Sequence, residues 1–549
     1  MKYNMYSNRF MKPNLTRNSA IFSFVFLLIL SACSDSKQTS SDSDKFQITT
    51  SVNPQYTGHI ELSPDREYYQ PGDEVTLTAR PLGRFDFINW EGDLDEDASN
   101  PYEGFVIDAN KTVTANFEAG YISDRAIVTP RQNVFYMISP RDLFFQVHQN
   151  GDPLVSVTKN GTEVEHTSTP LSNLPEAEDL PDSKTIKLSS ESLEMLGSGI
   201  HTISFGFGSG VKHDVQLNVV PSGEEKHHNM NIVSFYVEHG DAVLVQLPNG
   251  EMLMMDTGTV PAAEKYIVPF LKQHLPKDEN GVQRIDHVFL SHWHYDHFSG
   301  VGALLENFEI GHVRYNLAKP PNHFGDYDDK ENPNDPYDYG DYGFPPGHWD
   351  QFYVGNVITG IGGDDVEIKI LNAPVFDEED EQLEYYRSEH FEQYDNRNNR
   401  SLHLQIRYGD FVYTMGGDIY QHAQRAILET FGEEVRTHIY HANHHFHGGV
   451  YEEHLIATDP VLFLTSANAA VYDRDAYTRG VLDVTVPELE ATSNRFIEGL
   501  LSFEVGVTVV RIDGSKNWSD DSTELWYETY YQNDLHEAEY YIPDLFYIK

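Results

Sequence analysis

The chain has 549 residues, of which 39% are hydrophobic and 13% aromatic; that is enough for three or four packed domains and rules out wholesale disorder. With 86 acidic against 38 basic side chains the formal charge is −48, which weighs against a protein that coats nucleic acid or anionic lipid. A single cysteine excludes an intrachain disulfide and a Cys-rich zinc site.

Residues 1–33 carry Lys2, Arg9, Lys12 and Arg17, then the apolar run Ile21 to Leu30, then Ser31-Ala32-Cys33. A basic start, a short apolar stretch and small residues make an export signal. The run is too short for a membrane-crossing helix, which needs about 20 apolar residues. Leu30-Ser31-Ala32-Cys33 resembles a bacterial lipobox, which implies that Cys33 is acylated and anchors the chain to a membrane. Residues 34–45, rich in Ser and Asp, form the tether. The expectation is a lipid-anchored protein of the cell envelope outside the cytoplasm, with Ser34 leaning towards the outer membrane.

Residues 46–117 alternate in short strand patterns separated by turn signals. Pro71-Gly72, Trp90, Gly92-Asp93, Asn100-Pro101 and Val113-Thr-Ala-Asn-Phe117 resemble the internalin-type B repeat, a small all-β spacer or adhesion unit. Trp90 is expected in its core. Residues 118–225 continue as strands and predict a second β-sandwich with no metal or nucleophile pattern. Together, 46–225 read as an arm. From 229 to 513 strands alternate with helical segments, an α/β pattern. The last stretch, 514–549, reads as an acidic, Tyr-rich tail.

Eight of the 26 histidines fall in two windows, 287–297 and 441–447. The strand pattern Ile285 to Leu290 delivers the chain to His292-Trp-His294-Tyr-Asp296-His297. Four ligand-type side chains within six residues suit one or two ions, Zn²⁺ first, with Mn²⁺ or Fe as alternatives.

This cluster resembles the signature of the metallo-β-lactamase superfamily, which implies an αββα sandwich with metals at a sheet edge; the two all-β modules read above precede it. On that resemblance His292, His294, Asp296 and His297 bind metal, Asp256 orients their loop, Asp418 bridges two ions and His444 completes the second site. Gly240-Asp241, Asn398 to Ser401 and His444-His445 resemble the ComEC-type branch, where Asn398 and Ser401 support the site. Phe446, Tyr236 and Glu238 depart from that branch and leave His445 as the alternative to His444. His403 reads either as a substitute ligand or as a core histidine. Two ions acidify a water for attack, Asp296 accepts its proton, and His445 (or His447) serves the leaving group, so activity falls in acid.

Between these motifs, 325–342 carries seven acids and one Lys, and 376–395 nine acids, both with tyrosines. Such loops favour a cationic or sugar-like substrate, unless they are solvated surface or a Ca²⁺ site. The leading expectation is a hydrolase of small-molecule or cell-envelope esters, such as a phosphorylcholine-type phosphodiester. The alternatives are a nuclease, disfavoured by the missing basic stripe, a lactone or amide hydrolase, and a non-catalytic adhesion lipoprotein.

Overall fold

The computed structural model describes residues 45–53, 58–66, 68–81, 85–94, 98–119, 126–149, 151–170, 183–223, 229–238, 240–292, 294–315, 352–373, 398–446, 451–466, 489, 493–531, 542 and 545–547. Cys33 with its signal and tether, the acidic stretches 325–342 and 376–395, and His447 lie outside them. No helix among the described residues is long and apolar enough to cross a membrane.

Two three-stranded sheets form the first module. One orders Ile48–Asn53, Lys111–Ala119 and Phe85–Gly92; the other orders Gly58–Ser63, Asp73–Pro81 and Tyr102–Ile107. Trp90 is fully buried between them and donates its Nε1–H to the Ser99 carbonyl at 3.1 Å. Gly92 has φ 105°, and a Cβ there would lie 2.2 Å from the Thr112 oxygen, so the close strand approach requires glycine. The second module has a five-stranded and a four-stranded sheet. They share a core that includes Phe145, Val157, Ile186, Phe205 and Leu217, and form a sandwich.

The remaining chain builds four layers. One seven-stranded sheet runs Glu309–Tyr315, Arg284–Leu290, Met252–Met255, Val243–Gln246, Met230–Ser234, Val507–Ile512, Tyr527–Tyr530; the other runs Val357–Ile358, Val366–Asn372, His403–Tyr408, Phe411–Met415, Ile439–His441, Leu462–Thr465, Glu498–Leu501. Period-two alternation drives the layering: Leu253 and Met255 enter the core between the sheets, while Met252 and Met254 pack outward beneath the helices. The segment Val260–Ala262, Ala263–Ile267, Val268–His274 covers the first sheet, with Thr259 capping its start by accepting from Ala262 N. Gln421–Phe431 lies over the second sheet through Ala423, Ala426 and Ile427.

The C-terminal stretch departs from the expected tail. Tyr527–Tyr530 is an edge strand of the first sheet, and Ile542 and Leu545 are buried beneath its outer face. Its alternating Tyr, Glu and Thr are polar in sequence but find buried partners here, so the sandwich extends past 513. The β modules are no free arm either, since Phe46–Lys549 form one compact unit. Asn133 Nδ2 donates to Thr529 Oγ1 at 2.8 Å, Arg141 Nη1 donates to the Thr529 carbonyl at 3.0 Å, and Gln146 Nε2 donates to the Glu504 carbonyl at 3.1 Å. On the other side, Trp90 and Phe117 belong to one apolar cluster with Tyr440, Leu455 and Phe463.

Glu498 sits in this junction, accepting from Arg131 N at 2.5 Å and from the Tyr527 hydroxyl. Burial pushes its carboxyl up to about 7, against the pull of Arg131 and Tyr527. The folded chain therefore binds this proton more tightly than an unfolded glutamate, whose pKa is about 4.3. The resulting stability is complete below the unfolded value and lost as pH rises through about 7. Glu498→Gln stays neutral and keeps an acceptor oxygen. It is expected to melt several degrees above the parent at pH 8 and level with it at pH 4 to 5. An equal gap at both pH values would show that burial does not set this carboxyl.

Candidate metal centre

Every candidate ligand follows the carboxyl end of a strand. Asp256 follows Met252–Met255, His292 follows the parallel strand Arg284–Leu290, Asp418 follows Phe411–Met415, and His444 and His445 follow Ile439–His441. Two backbone features bring them together. Gly240 has φ 97°, and a Cβ there would stand 1.7 Å from the Asp296 carbonyl, so only glycine lets that loop close. His444 and His445 both lie in the left-handed region, at φ 49° and 51°. Two such non-glycine residues in succession are costly and mark a turn held by its surroundings.

That turn sends the two imidazoles to different sides of Asp418. Oδ1 of Asp418 lies 3.1 Å from His297 Nε2 and 3.8 Å from His445 Nε2. Oδ2 lies 3.6 Å from His292 Nε2 and 3.7 Å from His444 Nε2. His292 Nε2 and His294 Nδ1 approach to 2.9 Å, close to the roughly 3.4 Å of two nitrogens sharing a tetrahedral zinc. Asp296 Oδ2 is 3.9 Å from His297 Nε2 and 3.7 Å from His445 Nε2. One carboxylate thus separates two clusters, His292–His294 with His444 and His297–His445 with Asp296. Ligand atoms of His292, His294 and Asp418, and of Asp241, His297, Asp418 and His445, each gather within 4.8 Å.

Support behind the rings sets which nitrogen faces inward. Asp256 accepts from Ser291 N at 2.7 Å, Ser291 Oγ at 2.6 Å and His297 Nδ1 at 2.8 Å. Ser291 Oγ in turn lies 3.0 Å from His292 Nδ1. His445 Nδ1 donates to the Ser466 carbonyl at 2.6 Å. A ring whose Nδ1 carries the proton presents the lone pair of Nε2, as metal ligation needs. Ser401 Oγ accepts from Asp418 N at 2.9 Å, and Asn398 Nδ2 donates to the Tyr420 hydroxyl at 3.1 Å, beside His444.

The residues present fit a pair of cations. His297 Nε2 and Asp418 Oδ1 are buried and face each other, yet neither has a hydrogen bond among the described residues. Burial opposes charge on His297, but Asp418, Asp296 and Asp256 outweigh it and hold its pKa well above the ordinary histidine value. Burial likewise opposes charge on His445, where Asp241, Asp418 and Asp296 prevail and raise it to about 9. His292 goes the other way, held well below the ordinary value by burial and by His297. A cation can take the place of the protons on His297 and His445, and His292 already offers a neutral ring.

Two placements differ from the sequence reading, and the choice left open at His403 closes on one of its two alternatives. His445, expected to serve the leaving group, has its Nδ1 engaged and its Nε2 aimed at Asp418 and Asp296, the ligand place expected of His444. His444 instead faces the opposite oxygen of Asp418 and is the more exposed of the two, at 12% against 3%. His403 is buried behind Gly416, its Nδ1 3.3 Å from that carbonyl, and burial lowers its pKa to about 4, so it is a neutral core residue. Asp241, read only as part of a motif, backs the cluster: its carboxylate lies 3.3 Å from His441 Nε2, 3.7 Å from His445 Nδ1 and 3.9 Å from His297 Nδ1. Its strand-loop position gave no sign of this, because the role exists only once His441 arrives from the other sheet.

Comparison with known families agrees with this geometry. Residues 236–410 match the metallo-β-lactamase superfamily and residues 48–121 the divergent InlB B-repeat domain. The first match stops before Asp418 and His445, so those two rest on the structure. No curated protein matches the chain. A tri-modular endo-β-1,4-glucanase from Bacillus licheniformis is 18% identical over 18% of each chain, with a TM-score of 0.15. A variant of the CmlA β-hydroxylase is 13% identical over 52% of this chain and 55% of that one, with a TM-score of 0.30. This chain thus spans under a fifth of the glucanase and about half of the hydroxylase, and neither likeness is close enough to carry an argument.

Proposed function

We propose that this chain, which carries a metallo-β-lactamase superfamily domain behind a divergent InlB B-repeat domain, is an exported metal-dependent hydrolase acting on phosphodiesters. The observation that carries this reading is Asp418, with one oxygen towards each of two histidine clusters. Two divalent ions, Zn²⁺ first, would be held by His292, His294 and His444 on one side and by His297, His445 and Asp296 on the other, and supply Lewis-acid activation of water and charge neutralisation at phosphorus. The chain's own part is to hold protons away from that centre. Asp256 and Ser466 keep them on the Nδ1 atoms of His297 and His445, and Asp296 is placed to accept one from the attacking water. A compact phosphorylcholine-type phosphodiester suits the reading better than a polynucleotide, because the chain carries a charge of −48.

A screen of phosphodiester, phosphomonoester, lactone, β-lactam and single-stranded DNA substrates with added Zn²⁺ or Mn²⁺ tests it. Phosphodiester turnover that EDTA abolishes and metal restores is expected. Turnover confined to lactones, to phosphomonoesters or to the metal-stripped protein would overturn the substrate class, and turnover confined to DNA would replace the compact ester by a polynucleotide.

The same centre predicts a pH dependence. His445, near 9 without metal, must lose its proton to ligate. Metal affinity is therefore expected to rise from pH 6 towards 9, with protons released on uptake in weakly buffered solution at pH 7.5. Affinity independent of pH would remove His445 from the ligands.

Anchoring through Cys33 is part of the proposal and rests on the residues before it. Cys33→Ser is expected to move the mature protein from the detergent phase to the aqueous phase. Unchanged partitioning would leave a plain signal peptide.

A further inference from the structure

A second site lies where the β-sandwich module meets the hydrolase sandwich. A cleft of about 300 Å³ opens there between Tyr136 and Asn218 of the module and Arg511, Trp518 and Trp526 of the hydrolase. It sits at the far end of the sandwich from the metal centre. Arg511 pairs with Asn231 and Asn231 with Gln246, whereas Thr508 pairs with Ser234, Ser234 with Val243 and Val243 with Met255, the neighbour of Asp256. Three residues of strand separate the two ends, on the order of 10 Å. A ligand in the cleft is held without reaching the metals.

The walls narrow its chemistry. Two of the chain's five tryptophans face this cleft. Trp526 is half-buried against Val134, Tyr136 and Val220, and its Nε1 donates to Glu524 Oε2 at 3.2 Å. The floor is rigid: Arg511 Nε and Glu528 Oε1 pair at 3.0 Å with both side chains buried, and the guanidinium lies 5.4 Å from the Tyr136 ring. Arg511 and Glu528 cancel in charge. That leaves Lys516 with Asp513 and Glu524 at the rim, an excess of one negative charge that disfavours phosphate. Lys516, whose Nζ donates to the Glu524 carbonyl at 3.3 Å, offsets one of the two rim acids, so the cleft offers no anionic cage to a quaternary ammonium ion. So many donors and acceptors disfavour a purely apolar guest. An uncharged ring with one apolar face and many hydroxyls satisfies the indole, the rim and the floor together. The volume, at the low end for ligand pockets, suits one or two such rings.

We propose that this junction cleft is a non-catalytic saccharide site that holds one or two neutral hexose units, Trp526 stacking on the sugar and Asp513, Lys516 and Glu524 bonding its hydroxyls. The site is independent of the hydrolytic reading. Calorimetric titration of the full mature chain with cellobiose, maltose and N,N′-diacetylchitobiose tests it, with choline and inorganic phosphate as counter-probes. At least one disaccharide is expected to saturate one site with Kd on the order of 0.1–10 mM. Trp526→Ala is expected to weaken that binding at least tenfold, and the exposed Lys516→Ala severalfold with no change in melting temperature, while hydrolysis at the metal centre stays the same. No saturation by any of the three sugars, saturation by choline or phosphate instead, or full affinity in both variants would overturn the proposal.

Discussion

Asp418→Ala is expected to lower turnover by on the order of 10³-fold or more and to cut the metal content from about two ions to about one. Among the described residues Asp418 has one oxygen within 4 Å of a ring nitrogen of each cluster. Without it His292 and His294 still face each other, so that side keeps a partial ligand set. The His297–His445 side loses the carboxylate at 3.1 Å and depends on Asp296 at 3.7 to 3.9 Å. Asp241→Asn provides the contrast. It leaves every inward-facing atom in place but removes the charge behind His441, His445 and His297. It is expected to weaken one ion by 10- to 100-fold, as loss of support behind a ligand does, and to spare the other. Metal analysis with near-ultraviolet circular dichroism as a folding control reads both variants. Two ions and full turnover in Asp418→Ala would sink the bridging role. Equal weakening of both ions in Asp241→Asn would show that Asp241 does not serve one side.

How far the site was legible follows from where its information sits. His292 to His297 were readable because four ligand types crowd one turn after an apolar strand. Asp256 and Asp418 were readable as a strand ending in an acid beside glycine. The split between His444 and His445 was not, since nothing in two adjacent histidines announces successive left-handed residues. In the fold the Ser466 carbonyl accepts from one ring and Tyr420 packs against the other, partners that adjacent sequence does not reveal. Asp241 and His441 stayed hidden for a related reason, because they lie 200 residues apart on different sheets. At the level of fold the alternation of apolar residues carried the strands and the two β modules. It failed at Tyr527–Tyr530, a polar edge strand whose burial depends on partners from another module.

Those partners decide the second expectation. A fragment of residues 229–549 is expected to be insoluble or to lack fixed tertiary packing, whereas 126–549 folds and binds metal. Cutting away the second module strips Thr529 of Asn133 and Arg141, Glu504 of His148 and Gln146, and Glu498 of the Arg131 amide. Thr529, Glu504 and Glu498 are each at least 96% buried. Exchanging these five hydrogen bonds for bonds to water costs roughly 0.5–1.5 kcal/mol apiece. The cut also uncovers Tyr531, which packs 5.1 Å from Phe144, and Tyr530, which lies 4.1 Å from the Arg141 guanidinium. Together these losses rival the roughly 5–15 kcal/mol that holds a domain folded. Near-ultraviolet circular dichroism, the cooperativity of thermal melting and metal content compare the two fragments. A monomeric 229–549 fragment that melts cooperatively at the full chain's temperature would show that the module is an independent arm. If 229–549 proves molten while 126–549 keeps both ions, the module is part of the hydrolase by physics, although no ligand of the centre comes from it.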